Sequence, residues 1–229
     1  PRRRLEQNMN FRLLSSGRRA FSRLDMLLAI VTVVILVVGV LPQFARKGRG
    51  TSKQIRCVSN LKQISLGFRL YAGDHNDAYP AFNETNAAWQ YFQAAGHEMG
   101  SPYILRCPVD AQRDLKSKPA RDFEDPPQAN SFAHPAFRNA ALSYFYGADA
   151  DRNDPEMLLA GDRNITTDGK MRSGLLTLTA NSPAMWTKDL HKNKGTVALA
   201  DGSVQQVAIP GLQEQLKKPT NGVQRLVLP

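Results

Sequence analysis

The sequence predicts an α+β fold: a long N-terminal helix, half transmembrane and half amphipathic, packed on a small antiparallel sheet. Three observations carry this. Met26 to Leu41 reads MLLAIVTVVILVVGVL, with Thr32 as its one polar side chain. From Thr51 to Tyr71, the apolar residues Ile55, Val58, Leu61, Ile64, Phe68 and Tyr71 recur every three or four positions, the spacing of one helix face. The second half breaks into short apolar runs, two of which alternate on either side of Asp201-Gly202.

At 229 residues the chain can bury one sizeable core but is short for two large domains. Its formal net charge of +10 raises nucleic acid as a partner, so the placement of the charge decides. Residues 1–20 hold six Arg against Glu6, and residues 21–56 hold six basic residues against Asp25. Residues 57–229 hold eighteen of each sign. The excess therefore flanks the apolar segment, which is the pattern of a membrane anchor and not of a nucleic-acid-binding head.

The apolar run is sixteen residues long, and Phe21, Leu24, Phe44 and Ala45 extend it toward the ~20 that span a bilayer. A cleaved secretory signal fits poorly: a cut after Ala45 puts Gln43 at the third position back, where a small residue is wanted. Asp25 sits at the lip of the run, where an ionisable side chain needs a partner or a place among lipid headgroups. Pro42 removes a backbone donor and loosens or ends the helix there.

The stretch Arg18-Arg19-Ala20-Phe21-Ser22-Arg23-Leu24-Asp25-Met26-Leu27-Leu28 resembles the class III signal of type IV pilins and type II secretion pseudopilins. It departs from that pattern in having Ala20 for Gly, Arg23 in an apolar run and Asp25 for Glu. The resemblance implies cleavage by prepilin peptidase between Ala20 and Phe21 and N-methylation of the new amine. The acid is then the fifth mature residue and the proline the twenty-second, as in pilins. It further implies that Asp25 pairs with the Phe21 amine of a neighbouring subunit. The expected organisation is a basic leader over 1–20, a transmembrane helix over 21–45, an amphipathic continuation over 46–72 and an extracytoplasmic head over 73–229. A helix from Phe21 to Ala72 would be ~78 Å long.

A narrower likeness follows. Cys57-Val58-Ser59-Asn60-Leu61-Lys62-Gln63-Ile64, Leu70-Tyr71-Ala72-Gly73-Asp74, Tyr79-Pro80 and Leu105-Arg106-Cys107-Pro108-Val109-Asp110 resemble pseudopilin-like proteins of the Planctomycetes and Verrucomicrobia type. So does His191 followed after nine residues by Asp201-Gly202, an H-X9-DG signature. The implied protein is a structural subunit, not an enzyme, in a single-pass inner-membrane setting with its head in the periplasm or an extracellular filament. Its partners are then prepilin peptidase, other pseudopilin subunits, the inner-membrane assembly platform and membrane lipid, with no nucleic acid. A stand-alone anchored binding module that borrows the export signal is the alternative.

The cysteines are too few and too far apart for a four-cysteine or CxxC-paired zinc site. With the head outside the cytoplasm, Cys57 and Cys107 are expected to pair and staple the long helix to Leu105–Asp110; two buried thiols are the alternative. Within the head, the spacing predicts a restart of the helix at Thr51, its end at Gly73, and a short helix over 87–95 closed by Gly96. Strands are expected at Leu142–Tyr146, Met157–Ala160, Leu175–Thr179, Thr196–Ala200 and Ser203–Ala208, and a polar flexible loop over 110–131. Ser59-x-x-Lys62 lacks the companion motifs of penicillin-recognising enzymes. No cofactor is implied, although Asp149 and Asp151 have the spacing that opens a calcium loop, without the glycine and glutamate that complete one. Asp201 is explained by its turn, and His191 either hydrogen-bonds to strand backbone or meets that carboxylate across the hairpin.

Overall fold

The computed structural model describes residues 22–82, 87–113, 120–124 and 128–229. Ala20 and Phe21 lie outside these residues. The chain divides into two compact units, residues 1–48 and 49–229.

In the first unit, helix α1 (Arg23–Ile35) opens with a reciprocal cap: the Ser22 hydroxyl accepts from the Leu24 N–H, and Asp25 Oδ2 accepts from the Ser22 N–H at 3.1 Å. None of its residues is buried. A π-helical turn follows (Leu36–Val40), then helix α2 begins at Leu41. Pro42 has no N–H to return to a preceding carbonyl, a physical reason for the helical ladder to change pitch there. No single helix among the described residues is long and apolar enough to cross a membrane.

Helix α2 (Leu41–Asp74) shows no restart at Thr51. Its buried face within the second unit is Cys57, Leu61, Ile64, Ser65, Phe68 and Ala72, whereas Ile55 is 63% exposed and Val58 and Tyr71 only half-buried. The buried face is therefore turned by part of a residue step from the predicted one, so that Cys57, Ser65 and Ala72 lie inside while Ile55 lies outside. Gly73 stays helical. The turn is made by Asn76 and Asp77 with φ of 53° and 61°, and the Asp77 N–H returns to the Ala72 carbonyl at 2.8 Å.

Helices α3 (Ala88–Ala94) and α4 (Gly96–Met99) follow, so Gly96 opens a second turn where a stop was expected. Packing requires the glycine for a different reason: a Cβ on Gly96 would lie 2.4 Å from the Phe123 ring. Of the described residues in 110–131, Asp110, Ala120, Phe123 and Ser131 are buried, whereas Ala111, Gln112, Arg121, Glu124 and 128–130 are exposed; 114–119 and 125–127 lie outside the described residues.

Eight strands follow: β1 (Tyr144–Gly147), β2 (Leu158–Asp162), β3 (Ile165–Thr166), β4 (Gly174–Thr179), β5 (Met185–Trp186), β6 (Lys194–Leu199), β7 (Val204–Ala208) and β8 (Val223–Leu228), with α5 (Ile209–Gln215) before the last. Six form one antiparallel sheet in the order β4-β8-β1-β2-β6-β7; β3 and β5 pair separately. The α+β class and its antiparallel sheet are thus in place. Alternation sends Tyr144, Tyr146, Ala198 and Val227 to the face that packs with Leu61, Ile64 and Phe68 of α2. Phe145, Val197, Leu199, Leu226 and Leu228 go to the other face, with Trp186, Leu212 and Leu216. Covering both faces buries β1 and β2 entirely.

Candidate functional site

The chemistry-bearing residues of the head converge on one buried spot beside α2. Cys57, on the inner face of α2, is disulfide-bonded to Cys107, with 5.1 Å between their Cα atoms. Cys107 follows a 3-10 turn (Pro102–Leu105), and its segment is held to α2 by Asn60, whose Nδ2 donates to the Arg106 carbonyl at 3.0 Å. Both cysteines are fully buried.

His191 enters from the turn before β6. Lys192 and Asn193 adopt φ of 54° and 64°, left-handed values that non-glycine residues hold only when the surroundings fix them. Asn164, just past the end of β2, supplies the fixing: its Nδ2 donates to the Thr187 and Lys194 carbonyls at 3.0 and 3.3 Å. The imidazole is thereby placed with Nε2 3.5 Å from Cys107 Sγ and 3.3 Å from Asp162 Oδ2. Its partner is therefore Asp162, at the end of β2, and neither strand backbone nor Asp201. Asp201 is at the β6–β7 turn, where its Oδ1 accepts from the Ser203 N–H at 2.7 Å and Gly202 has φ of 92°. The two halves of the H-X9-DG signature thus do separate work.

Burial sets the electrostatics. Asp162 is fully buried, and desolvation pushes its carboxyl up to about 7, against the Thr196 N–H that donates to Oδ2 at 2.6 Å. Desolvation lowers His191, with the Asp110 carboxylate opposing. Between the lowered His191 value and about pH 7 the contact is thus a net-neutral pair, not a full ion pair. Beside it, Asp110 forms a two-pronged ion pair with Arg163, at 2.7 and 2.9 Å. Burial alone would raise Asp110; the guanidinium overcomes it and holds the carboxyl below its usual value. Gln112 accepts from Arg163 at 3.0 Å, and Arg113 is pushed down to about 10 by burial and by its neighbour Arg163.

Among the described residues, Cys57, Cys107 and His191 are the one group of three potential metal ligands whose donor atoms lie within 4.8 Å of one another. Asp149 and Asp151 are otherwise engaged. Asp149 is paired with Arg225, accepting from its backbone N–H at 2.7 Å, and Asp151 Oδ1 accepts from Asn153 at 2.9 and 3.0 Å. Ser59 and Lys62 are exposed on α2. Asp162, Arg163, Asp110 and Thr196 were not singled out from the sequence. The available signal was the run Gly161-Asp162-Arg163-Asn164, three polar residues directly after an apolar strand, where a turn reading suffices locally. No family model, no curated protein and no solved structure matches the chain.

Proposed function

We propose that the chain is a structural, pilin-like subunit of a type II secretion or type IV pilus-like assembly, anchored in the inner membrane by residues 21–45 with its head outside the cytoplasm. The observation that carries this reading is α1: thirteen residues with none buried, from an apolar run whose Thr32 hydroxyl is returned to its own helix at the Ala29 carbonyl, 2.8 Å away. Such a surface is stable in water only if something apolar covers it, lipid in the membrane or neighbouring helices in a filament. The anchor is divided between α1, the π-turn and the start of α2, so a crossing would use the three in succession. That division suits a segment that leaves lipid to repack among other subunits. The head contributes stiffness: a core on both faces of the sheet and a disulfide between α2 and the loop above it.

N-terminal sequencing of protein extracted from membranes tests the reading. The expected first residue is Phe21, its amine methylated. A mature chain starting near Arg46, or an intact leader in cells with active prepilin peptidase, would overturn it. Cross-linking of intact cells should give a ladder of oligomers; a persistent monomer would favour the anchored binding module instead.

A further inference from the structure

A disulfide between buried cysteines needs no polar company, yet this one is flanked by an imidazole and a carboxyl. Cys57, Cys107 and Asp162 are 0% exposed and His191 is 2% exposed. Burying both polar groups is costly unless they are well partnered. The partnering is incomplete: His191 Nδ1 has no hydrogen-bond partner in the protein, and Nε2 faces a sulfur and a carboxyl oxygen together.

We propose that Cys57, Cys107 and His191 form a second, alternative state of the site. With the disulfide reduced, these three residues, whose donor atoms lie within 4.8 Å of one another, bind one divalent cation of the zinc class through the two sulfurs and Nε2, with the fourth position open to water. Tetrahedral zinc with Zn–S of about 2.3 Å and Zn–N of about 2.1 Å has an N···S edge of roughly 3.6 Å. The protein already holds that edge at 3.5 Å to Cys107. Two sulfurs and one imidazole match zinc and cobalt and suit magnesium or calcium poorly. Asp162 Oδ2, fixed by the Thr196 N–H at 2.6 Å, lies 3.3 Å from Nε2 and places a carboxyl beside the ion, and Asn164 clamps the turn that carries His191.

The exchange balances. A dithiol reductant gives two electrons and two protons to the Cys57–Cys107 bond, yielding two thiols, and becomes a disulfide itself. Cation binding then releases both thiol protons and any proton on Asp162, while neutral His191 binds directly. A small-molecule disulfide reverses the sequence: it takes two electrons from the two thiolates and two protons from solvent, leaves as thiols, and the re-formed Cys57–Cys107 bond expels the cation, because a disulfide sulfur is a poor ligand. The same point on α2 is thus fastened covalently in an oxidising compartment and by metal in a reducing one. This does not depend on the membrane anchor.

Cobalt titration of the full chain in detergent tests the proposal, with a phosphine reductant that does not compete for metal; water supplies its oxygen and the two thiol protons. Reduced protein should bind one Co²⁺ per chain, with near-ultraviolet thiolate-to-cobalt absorption and the visible bands of a tetrahedral site, and Zn²⁺ should displace it. Unreduced protein should show neither. His191→Ala should weaken binding by at least ~100-fold and Asp162→Asn by ~10-fold or more. Reduced wild type that keeps its strand circular dichroism without these bands would overturn the site, as would His191→Ala with unchanged affinity. Reduced wild type that unfolds and is not refolded by cobalt would also overturn it. The wild-type comparison decides alone where a variant does not fold.

Discussion

Asp110 and Arg163 carry the sharpest energetic consequence of any single contact beside the disulfide. Both side chains are nearly inaccessible, at 0% and 7% exposure, so removing one leaves the other charged and dry. Asp110→Ala should cost about 3–5 kcal/mol, read as the shift in a urea unfolding midpoint at constant slope. The pH dependence follows from the direction of each shift. Asp110 is lowered from 3.8, so its contribution is present above the unfolded value and lost as pH falls through the folded one. His191 is lowered from 6.5; its folded state resists protonation, and stability is lost as pH falls below 6.5. Asp162, raised from 3.8 to about 7, acts oppositely: its contribution is present below 3.8 and lost as pH rises to about 7. The last two oppose each other where both titrate, between the lowered His191 value and 6.5, so the unfolding midpoint should change least there, and the Asp110 contribution makes it fall below 3.8. Glycines give a paired test. Gly202 has φ of 92° and a Cβ there would lie 2.5 Å from the Arg69 guanidinium, whereas Gly73 is helical with open space around it. Gly202→Ala should cost about 1–2 kcal/mol and Gly73→Ala should stabilise by up to ~1 kcal/mol, both measured by thermal unfolding.

Elements announced themselves in the sequence where a local pattern sufficed. The Asp201-Gly202 hairpin was legible because Asp-Gly between alternating segments demands a tight turn, and β6 and β7 pair from Lys194↔Ala208 to Ala198↔Val204. The amphipathic part of α2 was legible from its period, and Leu61, Ile64 and Phe68 do face inward, but the edge of the buried face was not, because Ser65 and Ala72 are small and weigh little in an apolar count. Strand β8 left no local signal: Val223–Leu228 mixes apolar residues with Gln224 and Arg225, and its place between β4 and β1 is set by partners far away in sequence. The same holds for the site. Cys57, Cys107 and His191 could be named individually, while Asp162 joins them only through the β1–β2–β6 arrangement. The disulfide fastens α2 to a loop across a sequence separation of 50. Replacing both cysteines with Ala should lower stability by about 2–4 kcal/mol in the loop-entropy picture, with the loss seen first as faster hydrogen exchange in the Leu105–Asp110 segment.

For the whole molecule, the proposed function ties the uneven charge and the uncovered α1 to one event, transfer of an apolar segment from lipid into an assembly, and Asp25 is where that proposal can be interrogated. In the proposed assembly its carboxylate pairs with the Phe21 amine of an adjacent subunit, an interaction worth far more in a low-dielectric surrounding than at a wet surface. In the single chain the same carboxylate closes the α1 cap by accepting from the Ser22 N–H at 3.1 Å. The two roles coexist, since an ionised carboxylate has room for several donors, but they respond differently to substitution. Asp25→Ala abolishes both and should reduce cross-linked oligomers several-fold at equal expression while leaving the head folded and membrane-inserted. Asp25→Glu keeps the charge and should assemble normally. Ser22→Ala removes the hydroxyl half of the cap, costing the helix about 0.5–2 kcal/mol, yet leaves the carboxylate free to pair, so its oligomer yield should match wild type. Equal yields from Asp25→Ala and wild type would sink the pairing. Loss of oligomers in Ser22→Ala to the same extent as in Asp25→Ala would assign the acid to capping alone.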